Sequence, residues 1–407
     1  MSGADAGNAG TRRLTLSLAA CQGLLVMNNA MMIAIGTLAA DTIVSTRLLV
    51  TLPATAYIIG GAIATLPMSL FMKRFGRRAG FIVGCSFGMF GAALAALAMA
   101  GAQFWLLVTA ALFSGVYAGT GGFYRFAAAD ASRVEFRSRA ISLVLAGGIV
   151  GGILGPESSK LTRELVGPLF VGSFLSLIFL AAVAILILRK LEIPMPSEEE
   201  RSGVQRPALA VMRQPVFIVA ALGGICAYGV MNLLMAAAPL AMQMCGHSYG
   251  SQVFVVEWHI IAMFAPAFFT GWLVSRIGVL PVMFLGVTLN SGALLVGLSG
   301  ISVTHFWGSM VLIGVGWCFL FIGGTALLTE SYSPAEKAKT QGINDLFIYL
   351  TMATSSLSSG AILHRFGWNA LNYSALPLLA ITAAAILWLA WRRRRMTPVL
   401  VAPEASS

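Results

Sequence analysis

Twelve apolar stretches, each about 20 residues or longer, alternate with polar turns along this chain. They fall near 14–37, 47–72, 79–101, 104–129, 140–163, 166–188, 215–238, 251–276, 279–300, 306–330, 341–364 and 368–391. A segment of that length and apolarity satisfies its backbone amides in a bilayer as a helix. The chain is therefore read as an all-α membrane protein with twelve transmembrane helices. Composition agrees: the 407 residues are 58% hydrophobic and 10% charged, where soluble domains carry about a quarter charged residues. There is no nucleotide-binding glycine loop and no nucleophile beside a base at recognisable spacing, so no enzyme is expected.

The net charge of +11 suggests nucleic acid until the basic residues are placed. They sit in alternate loops: Arg12 and Arg13, Lys73 to Arg78, Arg133 to Arg139, Arg189 to Arg213, Arg276, Lys337 and Lys339, and Arg392 to Arg395, or 21 of the 26 Lys and Arg. Arg47, Lys160, Arg163 and Arg365 fall on the other side, and Arg125 falls within a span. The positive-inside rule then puts both termini in the cytoplasm, with the lipid bilayer and no nucleic acid as partner. The polar start MSGADAGNAGTRR leads into a full span, unlike a cleavable signal peptide. Cys21, Cys85, Cys226 and Cys318 lie in spans and Cys245 in an outer loop, which is no disulfide framework.

A polar interval containing EIPMPSEEERSGVQRP separates six spans from six. The expected organisation is an N-terminal half, 1–188, a cytoplasmic linker, 189–214, a C-terminal half, 215–396, and a cytoplasmic tail, 397–407. The halves repeat at an offset of about 200 residues. Met27-Asn28 with Met31 returns as Met231-Asn232 with Met235, Arg74-Phe75-Gly76 as Arg276-Ile277-Gly278, and Ser132-x-x-Glu135 as Ser333-x-x-Glu336. Over nearly its whole length the chain resembles the major facilitator superfamily. Lys73-Arg74-Phe75-Gly76-Arg77-Arg78 occupies the second part of that superfamily's loop signature G-x-x-x-D-R-x-G-R-R, with Ser69 and Lys73 in place of the usual Gly and Asp. The resemblance implies two pseudo-symmetric six-helix bundles, a tight turn at Gly76, and Arg74 as a gating partner for Asp130 and Asp345. Gly151-x-x-x-Gly155-Pro156 is similar to a signature of drug–proton exporters, although small residues four apart also allow close helix packing. Gly115 lies near the position where many of those exporters carry a proton-linked Arg.

Soft ligands are spaced one helical turn apart in two neighbouring spans: Met231-x-x-x-Met235 and His259-x-x-x-Met263. A Met pair is weak evidence, since 19 Met in 407 residues give about one Met-x-x-x-Met by chance. The His pair is rarer, at about 0.2 expected, and an ionisable group inside a span is a functional candidate. The bland reading is a neutral His259 hydrogen-bonded to a neighbouring carbonyl. Met231 and His259 sit at similar depth, about 6 Å outside the middle of their spans, so the pairs are expected to meet. Three thioethers and one imidazole suit Cu(I) better than a hard cation. Met242, Met244, Cys245 and His247 in the following loop, and Cys226 deeper on the seventh span, form a candidate relay, with Met27 and Met31 as a second-tier pair. Glu157, Glu257 and Arg125 are candidates for proton coupling; Glu157 equally fits an ion pair with Lys160, one turn on.

Type, spacing, span and order together resemble the family of CcoA-type copper importers. That resemblance implies uptake of copper across the bacterial inner membrane for assembly of a cbb-type cytochrome oxidase. Met231, Met235, His259 and Met263 would handle the copper ion between a periplasmic donor and a cytoplasmic acceptor, and no cofactor is expected. Two alternatives stand beside it: a drug–proton antiporter of the same superfamily and a copper-binding membrane sensor.

Overall fold

The computed structural model describes residues 3–44 and 49–396. Arg47 and the expected tail 397–407 lie outside the described residues. Among them there is no strand, and eleven helices are long and apolar enough to cross a membrane. The first ten are α1 (Gly10–Ile43), α2 (Leu52–Phe75), α3 (Arg77–Ala100), α4 (Phe104–Asp130), α5 (Val134–Thr162), α6 (Val171–Arg189), α7 (Pro215–Met244), α8 (Tyr249–Ile277), α9 (Val279–Ser299) and α10 (Val303–Leu328). The last, Pro334–Arg395, is long enough for two crossings. It breaks at Gly367, whose φ of 80° and ψ of 178° leave the helical path, giving α11 (337–366) and α12 (368–396). Twelve crossings result, as the apolar runs predict.

The helix ends follow from local chemistry. Gly76 and Gly278 take φ of 87° and 89°, a left-handed backbone that L side chains avoid, and turn α2 into α3 and α8 into α9. These are the two positions paired by the sequence repeat, and their backbones agree. Ser333 and Glu336 form a reciprocal capping box ahead of α11. The equivalent Ser132 instead donates back to Ala128 O, and Glu135 is exposed.

Missing side chains bring the helices together. A Cβ at Gly115 would overlap Tyr57 O of α2, and one at Gly60 would overlap Leu112 O of α4. Cβ atoms at Gly147 and Gly151 would overlap Ala19 O and Gly23 O of α1. Small residues bring membrane helices together in this way, so Gly151 and Gly115 have packing roles. There is no room for a longer side chain at Gly115. The halves meet along two seams. In one, Ser142 of α5 accepts from Gly271 N of α8 at 2.9 Å and donates to Ala267 O; in the other, α2 packs on α11, with Tyr349 against Gly61 and Leu66 against Gly342.

Candidate functional site

A cavity of about 240 Å³ lies between the halves. Its floor is an ion pair that joins them. Arg125 sits about one and a half turns before the end of α4, and its Nη2 is 2.6 Å from Asp345 Oδ1 of α11, with side-chain exposures of 5% and 4%. Two charges at this depth are tolerated because each is the other's partner. Arg125 Nε also donates to Thr325 Oγ1 at 3.3 Å, Nη1 donates to Gly122 O, and Asn344 Nδ2 donates to Asp345 Oδ1 at 3.0 Å. The guanidinium lies between the rings of Phe126 and Phe321, 4.4 and 4.6 Å from their centroids, an arrangement that favours a cation.

The wall above this floor is aromatic. Tyr228 meets Trp317 and Phe321 edge-on at 5.4 and 5.1 Å, and Trp317 stacks on Phe321 at 5.2 Å with 26° between planes. Phe264 closes against Trp317 at 5.7 Å. The buried Trp317 indole N–H has no hydrogen-bond partner among the described residues. Gln22 and Asn29 of α1 line the opposite side, with Asn29 Oδ1 accepting from Tyr57 Oη.

The four soft ligands are not gathered at one point. Met235 and Met263 line the cavity, joined by Met352. Met231, 5% exposed, is packed into the apolar core, and the fully buried His259 brings its Nδ1 to 2.7 Å from Met310 O of α10 while Nε2 has no partner among the described residues. The reason is helical phase. The cavity meets α7 along Tyr228 and Met235 and α8 along Ile260, Met263 and Phe264, and a four-residue step turns about 40° past one full turn, enough to move the other member of each pair off that face.

The candidate relay is dispersed as well. α7 continues through Pro239 to Met244, so Met242 is a fully buried helical residue and not part of an exposed loop. Met244 and Cys245 are exposed, and His247 brings Nε2 to 2.6 Å from Ile301 O. Cys226 is buried against Thr382 of α12. Met31 is buried in the N-terminal core and Met27 packs on it. Among the described residues no three His, Cys, Asp or Glu come together to hold a metal ion.

The gate expected at Arg74 is built from Arg77. α2 ends at Phe75, so Arg74 is exposed and stacks on the Phe75 ring at 5.2 Å. Arg77, beyond the Gly76 turn, meets Asp130 with Nε at 3.0 Å and donates Nη2 to Gln341 Oε1 at 2.9 Å. Asp345, the other carboxylate assigned to Arg74, belongs to Arg125. Lys337 joins Asp130 at 3.4 Å to Glu200 of the linker at 2.6 Å, and Arg206 of the linker holds Glu336 at 2.6 Å. With Lys73 Nζ on Ala335 O at 3.1 Å and Ser69 Oγ on Ala338 O at 2.7 Å, these contacts close the linker end of the seam. Towards the opposite end, Glu157 pairs with Lys160 at 2.6 Å, and Glu257 is exposed.

The Arg125–Asp345 pair had a sequence signal: opposite charges inside spans four and eleven. Nothing in the sequence singled out Tyr228, Trp317 or Phe321, because aromatic residues within apolar spans carry no periodic signature.

Comparison with known proteins adds a family. The model of the Major Facilitator Superfamily matches residues 17–256 and 220–405. The chain is 36% identical over 379 residues to the riboflavin transporter RfnT of Brucella anthropi, covering 92% of this chain and 95% of that protein. It is 27% identical to the uncharacterized transporter YddS of Bacillus subtilis, covering 88% and 86%. Among solved structures, the proton:xylose symporter XylE superposes with a TM-score of 0.78 at 13% identity, covering 95% and 96%, and the transporter FucP with 0.71 at 14%, covering 92% and 97%. Neither approaches this chain in sequence, so they speak for the fold alone. The chain belongs to the major facilitator superfamily: it is a multi-pass secondary transporter and not an enzyme.

Proposed function

We propose that this transporter carries riboflavin, or a closely similar flat heteroaromatic, through the cavity between its halves. The observation that carries the reading is the cavity itself: an aromatic wall, with Trp317 stacked on Phe321 and Tyr228 edge-on to both, above a charge-neutral polar floor. A flavin ring offers flat faces for such a wall and polar edges for such a floor, and it is uncharged. The 36% identity to a protein named as a riboflavin transporter supports the same substrate class. Alternating access then requires the Arg125–Asp345 pair and the linker-end contacts to part as the halves rock. The bias of basic residues supports a cytoplasmic linker end, the bacterial relatives support an inner-membrane location, and entry into the cell is the direction proposed.

Copper import is a second reading. It is favoured by the thioethers of Met235 and Met263 on the same cavity, since soft sulfur suits Cu(I). It is weakened by His259, which turns its Nδ1 to Met310 O and lies off the cavity lining. Thioethers beside aromatic rings also serve as adaptable padding for a flat ligand.

One pair of measurements separates them. Cells unable to make riboflavin take up labelled riboflavin when they produce this protein, and Trp317→Ala at equal membrane abundance reduces that uptake about tenfold or more. The same cells show no added uptake of labelled copper. Copper uptake that depends on Met235 and Met263, with no riboflavin uptake, would reverse the assignment.

A further inference from the structure

At the cavity floor an unspent donor and an unspent acceptor lie beside the same glycine. A guanidinium has five N–H donors. Arg125 spends one each on Thr325 Oγ1, Gly122 O and Asp345 Oδ1, leaving two on its terminal nitrogens. Asp345 Oδ1 receives both Arg125 and Asn344, whereas Oδ2 has no hydrogen bond among the described residues. Gly122 lies beneath both groups and lines the cavity. The place its missing Cβ would occupy is 3.4 Å from Arg125 Nη1 and 3.5 Å from Asp345 Oδ2. A donor and an acceptor thus border the cavity beside a slot that a Gly122 side chain would enter, and the glycine has an ordinary helical conformation, φ −52° and ψ −27°.

We propose that this slot reads a cyclic imide edge, with Arg125 donating to a ring carbonyl and Asp345 Oδ2 accepting the adjacent ring N–H. The inference rests on the flavin reading, whose pyrimidinedione ring carries such an edge, and it names the contact that sets specificity. An aromatic wall with Tyr228 edge-on to Trp317 accepts many flat ligands, whereas a buried acceptor rejects any that lack the N–H, because Asp345 Oδ2 is then left unpaired. The pair's charges cancel, so a phosphorylated flavin brings a charge that nothing on the floor offsets. This excludes it.

The test is competition against labelled riboflavin uptake in cells, with riboflavin, 3-methylriboflavin (a methyl on the imide nitrogen) and flavin mononucleotide as competitors. Wild type is expected to need about tenfold or more 3-methylriboflavin than riboflavin for half inhibition, and flavin mononucleotide is expected not to compete. Gly122→Ala fills the slot at ordinary contact distances, so it folds. It is expected to raise the half-saturating riboflavin concentration about tenfold at unchanged membrane abundance and to narrow the difference between the two flavins. Equal inhibition by both flavins in wild type overturns the inference while leaving riboflavin transport standing. Unaltered uptake by Gly122→Ala overturns it equally. Absence of riboflavin uptake by wild type overturns both.

Discussion

Replacing Lys337 by Met keeps a long unbranched stem and removes the ammonium that spans the linker end of the seam. Its Nζ is 3.4 Å from Asp130 Oδ2 in the N-terminal half and 2.6 Å from Glu200 Oε1 in the linker, and the three side chains are 16%, 25% and 24% exposed. At 3.4 Å and an effective dielectric of about 20, the Coulomb attraction to Asp130 is about 5 kcal/mol. Desolvation and screening cancel most of it, and partly exposed pairs retain about 1 kcal/mol or less. The Glu200 contact adds about as much again. Losing both shifts the balance between closed and open linker ends by about 1–2 kcal/mol, or five- to thirtyfold. Pulsed electron–electron resonance between spin labels at Val134 and Ile277, exposed positions on opposite halves, reads the two populations. Among the described residues Cys245 is the exposed cysteine and the other four are buried, so Cys245→Ser supplies the labelling background. Lys337→Met is expected to enlarge the long-distance population, and Lys337→Arg to resemble wild type. Raising the salt concentration should move wild type in the same direction and the Met variant less. If the Met variant leaves the distribution unchanged, Lys337 does not hold this end shut, and the contacts of Arg77, Lys73 and Ser69 carry the closure.

Two further outcomes follow from buried positions. His259→Ala removes a fully buried imidazole and the partner of Met310 O, so it is expected to lower thermal stability in detergent, by about 2–4 kcal/mol, with riboflavin affinity within about twofold of wild type; a large change in affinity at unchanged stability would return His259 to the transport path. Gly115→Ala forces a methyl group into Tyr57 O, and the protein is expected to lose its single sharp peak in fluorescence-detected size-exclusion chromatography. A normal profile would mean that α2 and α4 can separate at little cost.

The crossings were legible because an apolar run of bilayer length has one stable backbone solution, and the repeat at Gly76 and Gly278 was legible because a left-handed turn favours glycine. Partners across the seam were not. Arg74 and Arg77 look alike as letters, but the Gly76 turn reverses the chain between them, so the residue aimed at Asp130 is the one after the turn. Asp345 pairs with Arg125 and not with Arg74, because depth within a span cannot be converted into a neighbour without knowing which helices cross there. The spacing of Met231 and Met235 puts them within about 40° of each other around α7. It did not show that the edge of the cavity falls between them. The seventh apolar run ends at 238, yet α7 continues through Pro239 to Met244, and Met242 is buried as a result.

The opposed charges of Arg125 and Asp345 also bear on energetics. Paired at 2.6 Å in this state and parted as the halves rock, they still sum to zero charge and return to their starting depth over a full cycle, and a flavin adds none. Each elementary charge carried through the bilayer is worth about 2.3 kcal/mol per 100 mV, so the cargo and its floor together do no work against the membrane potential. Any current recorded during transport therefore belongs to a coupled ion, and the charge moved per flavin counts those ions directly.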